Sequence, residues 1–552
     1  MLAAAAGLPW AGCRHDDAPR YSGGWVGAQH ERGHRLRDPH SDAKSGNRPA
    51  PAVRRRAAVI VVGAGIAGLA AARALTQAGL DDVRVFELED SAGGNSRGHM
   101  MGGMACPLGA HYLPLPGERA LEVIALLEEL GLRSTRAGHA VYDERHLCHS
   151  PQERLFIGGQ WHEGLLPPIE ALAPAQRADT LAQYRQFGAA VAQAAQGGAF
   201  GMPTARSAWS PELTRLDGVT LAQWLDHQGL RAPALRWYLD YCCRDDYGAG
   251  AAQVSAWAGL HYFASRHGFH APGDEVENRE GVLTWPEGNA WISRRLAEPL
   301  RERLHTGMVV MRVDEGRHDV SVDVWNVALR HAERWTAAQV VLAVPLFVAA
   351  RMLAAVPQAL AHAVAQMRHA PWLVANLHLG EPLIDRGGAP PAWDNVLYDA
   401  EPAALGYIDA MHQSTRPHPG PTVLTAYWAL GGDSAQQLQS QRARLLNQPW
   451  STWARAVVLD LARAHPDLAT KLRQVDLMRY GHAMSIPLPG VRSSAALSAL
   501  AATPGRVCFA HSDLSGYSVF EEALFHGHAA GQRLTRKCGS ATLLIPLGGR
   551  TT

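Results

Sequence analysis

The sequence predicts an α/β protein: a Rossmann-type dinucleotide-binding domain, a parallel sheet flanked by helices, with an inserted α+β substrate domain. Three observations carry this. A glycine-rich turn joins an apolar run to an Ala-rich run at 59–75, VIVVGAGIAGLAAARAL. The next apolar run closes on an acid, Glu87. Strand-like, glycine-containing segments return far downstream, at 281–353 and 505–534. At 552 residues the chain is too long for one ordinary core, so several domains are expected. A formal net charge of +1 gives no steering toward nucleic acid or acidic lipid, and no nucleic-acid partner is expected.

Taken in order, the first 55 residues differ from the rest. MLAAAAGLPWAGC resembles the end of a bacterial lipoprotein leader, with Cys13 as the lipidated residue, although the positively charged start of such a leader is missing. The competing reading is an Ala-rich, disordered terminus. Export and a membrane tether through Cys13 go with the first reading, and a cytoplasmic protein with the second. The next stretch, rich in Gly, Arg, His and Pro, lacks periodicity and reads as a linker. The seven cysteines have no CxxC spacing, and the 27 histidines are scattered. Neither a disulfide framework nor a metal site is expected.

The stretch at 59–75 is too short for a membrane anchor. The uncharged run 57–72 has 16 residues, against roughly 20 for a bilayer span. As a nucleotide site it is well formed. Residues 57–62 make a buried parallel strand, and Gly63 allows the tight turn. Gly65 lets the backbone approach a pyrophosphate, and Gly68 lets the new helix pack on the strand. Ile66 and Ala67, within the glycine turn, count as cofactor contacts, and a helix is predicted over 69–78 whose amides and dipole face the phosphates. A second strand over 83–88 brings Glu87 and Leu88 to its end. Glu87 stands 19 residues after Gly68, where a carboxylate meets a ribose hydroxyl. The motif by itself leaves nicotinamide and flavin both open.

Segments further along the chain narrow the choice. SAGGNSRGH at 91–99, LGAHYLPLP at 108–116, GVLTWPEGNAWISRRLAEPL at 281–300, AAQVVLAVPLFVAARML at 337–353 and GRVCFAHSDLSGYSVFEEALFHGHAAGQRL at 505–534 succeed one another in a recognisable layout. It resembles the flavin-containing amine oxidase superfamily, which includes monoamine and polyamine oxidases, protoporphyrinogen oxidase and phytoene desaturases. The resemblance implies non-covalent FAD. It implies cofactor contacts from Gly94 and Asn95, with Arg97 as a phosphate partner, from Gly109 and Ala110 near the flavin, and from the backbone of Val309 at the adenine. It also implies contacts from Asp513 and Glu522 in the last segment. The implied division is FAD domain at 57–116, 281–350 and 481–537, substrate domain at 117–280 and 351–480, and a tail at 538–552.

Departures from that layout bear on catalysis. His111 and Tyr112 stand beside the expected flavin ring, where His111 would either act as an acid or base near neutral pH or serve only as a packing residue. Tyr517 and Phe520 compete for the aromatic position facing the flavin. In amine oxidases the strand equivalent to 370–383 carries a lysine that holds a water near flavin N5; this chain has Asn376. His482 approaches from the other side. In the inserted part, YLDYCCRDDYGAGAAQVSAWAGLHYFASRHG at 238–268, which joins Arg244–Tyr247 to His261, Tyr262 and Phe263, admits two readings. It is pocket wall, with an Asp pairing a cationic substrate, or a helix–loop–helix whose Arg244-Asp245-Asp246 is a solvated turn. The expected activity is hydride transfer to flavin N5 from a substrate C–H next to nitrogen or an activated carbon. The alternatives are a lipid-like dehydrogenase that passes electrons to a carrier, and a non-catalytic flavin-binding accessory protein.

Overall fold

The computed structural model describes residues 21–36, 51–266, 268–274 and 281–542. Cys13 lies outside them. Two large sheets organise the chain. The first has parallel strands Val83–Phe86, Val53–Val62, His331–Leu342 and Val507–Phe509 side by side, with the short Leu304–His305 at one edge. An antiparallel meander, Val320–Asn326 and Met308–Glu315, extends it. The register decides what the sheet can do. Val62 pairs with Phe86 and with Leu342, and Leu342 pairs with Phe509, so four strands end at one level. The loops after them begin at Gly63, Glu87, Ala343 and Ala510. Segments hundreds of residues apart in the chain therefore meet at the carboxyl edge of a parallel sheet, where open α/β folds bind ligands.

The helix after the first strand, Ile66–Gln77, is made of small apolar residues and is almost wholly buried. The last helix, Phe520–Thr542, crosses it. The crossing is close because glycine faces backbone: a Cβ on Gly527 would lie 2.1 Å from the carbonyl oxygen of Ala67.

The second sheet has eight strands in mixed order, built around Arg368–Leu379, Thr422–Ala429 and Leu472–Ile486. Helices Pro174–Ala195, Pro233–Tyr247 and Ala256–Ala264 cover one face with a core of aromatic and aliphatic side chains. Among the described residues no helix is long and apolar enough to cross a membrane.

Two expectations are corrected. Residues 21–36 are not an unstructured linker. Ser22–Trp25 is an edge strand paired in parallel with Leu472–Ile486, and His30–His34 is a short helix. SGGW has no apolar alternation of its own, so its strand conformation comes from the partner's backbone. Nor is Arg244-Asp245-Asp246 a solvated turn. It lies inside helix Pro233–Tyr247, which ends one residue later at the left-handed Gly248.

Candidate active site

A cavity of about 880 Å³ runs along the carboxyl edge of the parallel sheet and under the eight-stranded sheet. Its nucleotide end is built by the first turn. Gly63 has φ +96°, and a Cβ there would lie 2.4 Å from the Ala343 carbonyl oxygen. A Cβ on Gly68 would sit 1.8 Å from the Gly63 carbonyl oxygen, so helix and turn are in backbone contact. Gly65 differs: a Cβ there would meet only Gly94 Cα, at 3.8 Å, and both glycines line the cavity. The helix N-cap is Gly65 itself, with no side-chain cap, and Ile66 and Ala67 line the cavity with it. That is a cradle shaped for an anionic group.

Glu87 and Leu88 line the same end. Glu87 is held by two backbone amides: Ala64 N donates to Oε2 at 2.7 Å and Glu89 N to Oε1 at 2.9 Å. Burial raises its pKa, while those amides and Arg97 pull it back. Met308 and Val310 line the adjoining wall, with Val309 buried between them and not itself in the lining. The loop Gly93–Ser96 lies against Gly109–Ala110, joined by the bond from Ala110 N to the Asn95 carbonyl at 2.8 Å. Gly94, Asn95, Gly109 and Ala110 all face the cavity.

Further expected contacts, like Val309, stand one layer back. Arg97 donates to the carbonyls of Gly27 (2.7 Å) and Gly94 (3.1 Å), so its guanidinium ties loops together and does not reach the lining. Asp513, fully buried, accepts from Leu346 N at 2.9 Å and has His369 and His511 each 3.2 Å away. Burial alone would raise its pKa, but the two histidines outweigh it and hold the carboxyl well below the usual range. His369, His511 and Ser512 line the cavity in its place. Glu522 is also sealed, accepting from Thr204 N at 2.6 Å, from Ser515 and from the Tyr517 hydroxyl at 3.2 Å. Tyr517 is thereby committed to the interior, edge-on to Tyr247 and His261, and Phe520 is the aromatic that faces the cavity.

The far end is aromatic and acidic. His111 stacks on Tyr427 with centroids 4.4 Å apart and leans on Trp393 at 5.5 Å. Burial pushes its pKa down to about 3, against a smaller opposite pull from a hydrogen bond to the Gly109 backbone. The imidazole is therefore neutral at ordinary pH and does not titrate near neutrality, which corrects its expected acid–base role. Tyr112, Asp245, Asp246 and Arg266 complete this end. Asp246 is buried and pairs with Arg266 at 3.3 Å. Asp245 faces cavity space and not bulk water; burial, then the neighbouring Asp246, raise its pKa to about 7.

Asn376 is fully buried, donating to the Pro107 carbonyl (3.0 Å) and accepting from the Thr425 hydroxyl (2.7 Å). It is outside the lining, and no lysine among the described residues is in it. His482 does line the cavity, tilted on Phe347 at 4.6 Å. The sequence did not single out Tyr427 or His30, Gly33, His34 and Leu36 as wall, and Arg266 was covered only by the pocket-wall reading of 238–268 as a whole. Tyr427 had a signal, since it stands in the aromatic stretch TAYWAL.

A dinucleotide turn joined through one cavity to an aromatic chamber is the layout expected of a flavin-binding protein. Residues 66–535 match the family described as flavin containing amine oxidoreductase, and the chain belongs to that family. Its cofactor is FAD, and no cysteine among the described residues lines the cavity to bind it covalently. Among relatives, AofH of Mycobacterium tuberculosis, assigned as a flavin-containing monoamine oxidase, is 29% identical over 271 residues, 48% of this chain and 53% of its own. The chain thus spans about half the length of the curated relatives it matches. In fold it is similar to wild-type putrescine oxidase bound to putrescine, with TM-score 0.62 and 18% identity over 88% of this chain and 100% of that one. It is equally similar to cyclohexylamine oxidase from Brevibacterium oxydans, with TM-score 0.62 and 20% identity over 88% and 99%.

Proposed function

We propose that this chain oxidises a small amine, received as a cation by Asp245. The single observation carrying this is the carboxylate of Asp245 at the aromatic end of the cavity, beside an Asp246 already paired with Arg266. The Gly63–Ala67 turn, Glu87, Gly94, Asn95, Gly109 and Ala110 would hold FAD across the cavity. Bound FAD supplies the hydride acceptor, N5, for a substrate C–H next to nitrogen. The chain's own work is placement. Tyr427, Trp372 and the neutral His111 wall the chamber and exclude water, which strengthens the attraction between Asp245 and a substrate ammonium. Raised to about 7, the Asp245 carboxyl is a stronger base than an ordinary carboxylate, which lowers the cost of taking a proton from that ammonium.

The test is Asp245→Asn. For a cationic amine, KM rises about tenfold, a loss of about 1.4 kcal/mol, with a smaller change in kcat. The wild type's fall in KM as pH rises through about 7 disappears in the variant. An unchanged KM and an unchanged pH profile would sink the assignment. A second reading concerns the electron acceptor: with Asn376 sealed and no lysine among the described lining residues, the reduced protein passes electrons to a carrier faster than to dioxygen. Reoxidation in air, compared with reoxidation by a quinone, decides it.

A further inference from the structure

The segment 22–36 starts on one sheet and ends on the other. Ser22–Trp25 extends the eight-stranded sheet in register with Gln474–Leu477, and Arg479 lies over the Trp25 ring at 4.5 Å. The chain then crosses to the parallel sheet. Gln29 N donates to the Glu89 carboxylate at 3.0 Å, and Arg32 Nη1 donates to the Leu88 carbonyl at 2.9 Å and to Asp90 Oδ1 at 2.7 Å. These anchors are the residues directly after Glu87. Leu36 is then buried in the core with Val62, Phe86, Met308 and Val310. Along this second half of the segment, His30, Gly33, His34 and Leu36 face the same cavity as Gly63 and Glu87. A Cβ on Gly33 would meet nothing within 4 Å.

We propose that residues 22–36 form a strap that completes the nucleotide end of the FAD site and slows release of the cofactor. The inference rests on the cavity being the FAD site. FAD held by the turn at Gly63 and by Glu87 has part of its enclosure on the strap, so the anchors on Leu88 and Asp90 must open before that wall withdraws. Charge-assisted bonds of the Arg32 kind contribute enough that losing them shifts an equilibrium about tenfold.

The measurement is release of FAD from the full-length holoprotein, tracked by the rise of free-flavin fluorescence after dilution. Arg32→Ala releases FAD about tenfold faster than wild type. Arg215→Ala, which removes only an exposed ion pair with Glu212, leaves release unchanged. Equal rates for Arg32→Ala and wild type overturn the proposal. If Arg32→Ala does not fold, Gly33→Leu decides the same question. Gly33 lines the cavity and a Cβ there meets no atom within 4 Å, so the bulkier residue alters this wall and changes FAD retention, and unchanged retention overturns the strap. Failure of the underlying reading looks different, because wild-type protein would then bind no FAD at all.

Discussion

A carboxyl group taken out of bulk water ionises late, and Asp245 is held to about 7 by burial and by Asp246 beside it. The stability consequence has a definite sign. In the unfolded chain this carboxyl loses its proton near its ordinary value of 3.8, so between about 3.8 and 7 the folded state binds more protons. The contribution is fully present below that window and is lost as pH rises through it. Asp245→Asn, which cannot ionise, should therefore raise Tm progressively across this window and most above pH 7, with little change below 3.8. Thermal melts across the range check it, and a constant difference at all pH values would contradict it. The position of His111 beside the chamber was legible from the GAHYL stretch. Its protonation state was not, because the rings that bury it, Tyr427 and Trp393, come from strands remote in sequence. The same holds for Tyr517, whose hydroxyl is claimed by Glu522.

Among the elements, the strand, turn, helix and acidic strand at 57–87 could be read directly, because each rests on local chemistry: β-branched residues, glycines and an Ala-rich helix. The strand's first residues, 53–56, read as linker because VRRR carries no apolar run. The strap could not be read, since its strand is specified by the partner's edge and its helix by Glu89 and Asp90. The two acids of RDD were legible as one of two alternatives, pocket wall or solvated turn, and sequence left both open because which helix face meets the cavity depends on the packing of the neighbouring Ala256–Ala264 helix. One tight crossing makes an element-level prediction. Gly527→Ala places a methyl 2.1 Å from the Ala67 carbonyl oxygen and must push the last helix off Ile66–Gln77. The expected cost is about 1–3 kcal/mol of stability, with weaker FAD retention because the displaced helix backs the phosphate turn. Wild-type Tm and FAD retention in this variant would contradict the packing argument.

Across the whole molecule, the cavity exists because four parallel strands from distant parts of the chain end at one level and a second sheet roofs them. Each nucleotide-binding loop is short and local, whereas the chamber is a product of the long-range fold. That explains why cofactor-turn residues such as Gly63, Gly65 and Glu87 face the cavity as their motif implies, while Asp513, Glu522 and Asn376 are layered behind it. The same division separates what the family match carries from what this chain's own chamber must decide. The most direct measurement is anaerobic mixing of FAD-loaded protein with a panel of small amines while the flavin absorbance is recorded. With Asp245 receiving the substrate ammonium, at least one cationic amine bleaches the flavin, with a dependence on amine concentration that Asp245→Asn weakens. A flavin that dithionite reduces but that stays oxidised with every amine would contradict amine oxidation by this chain.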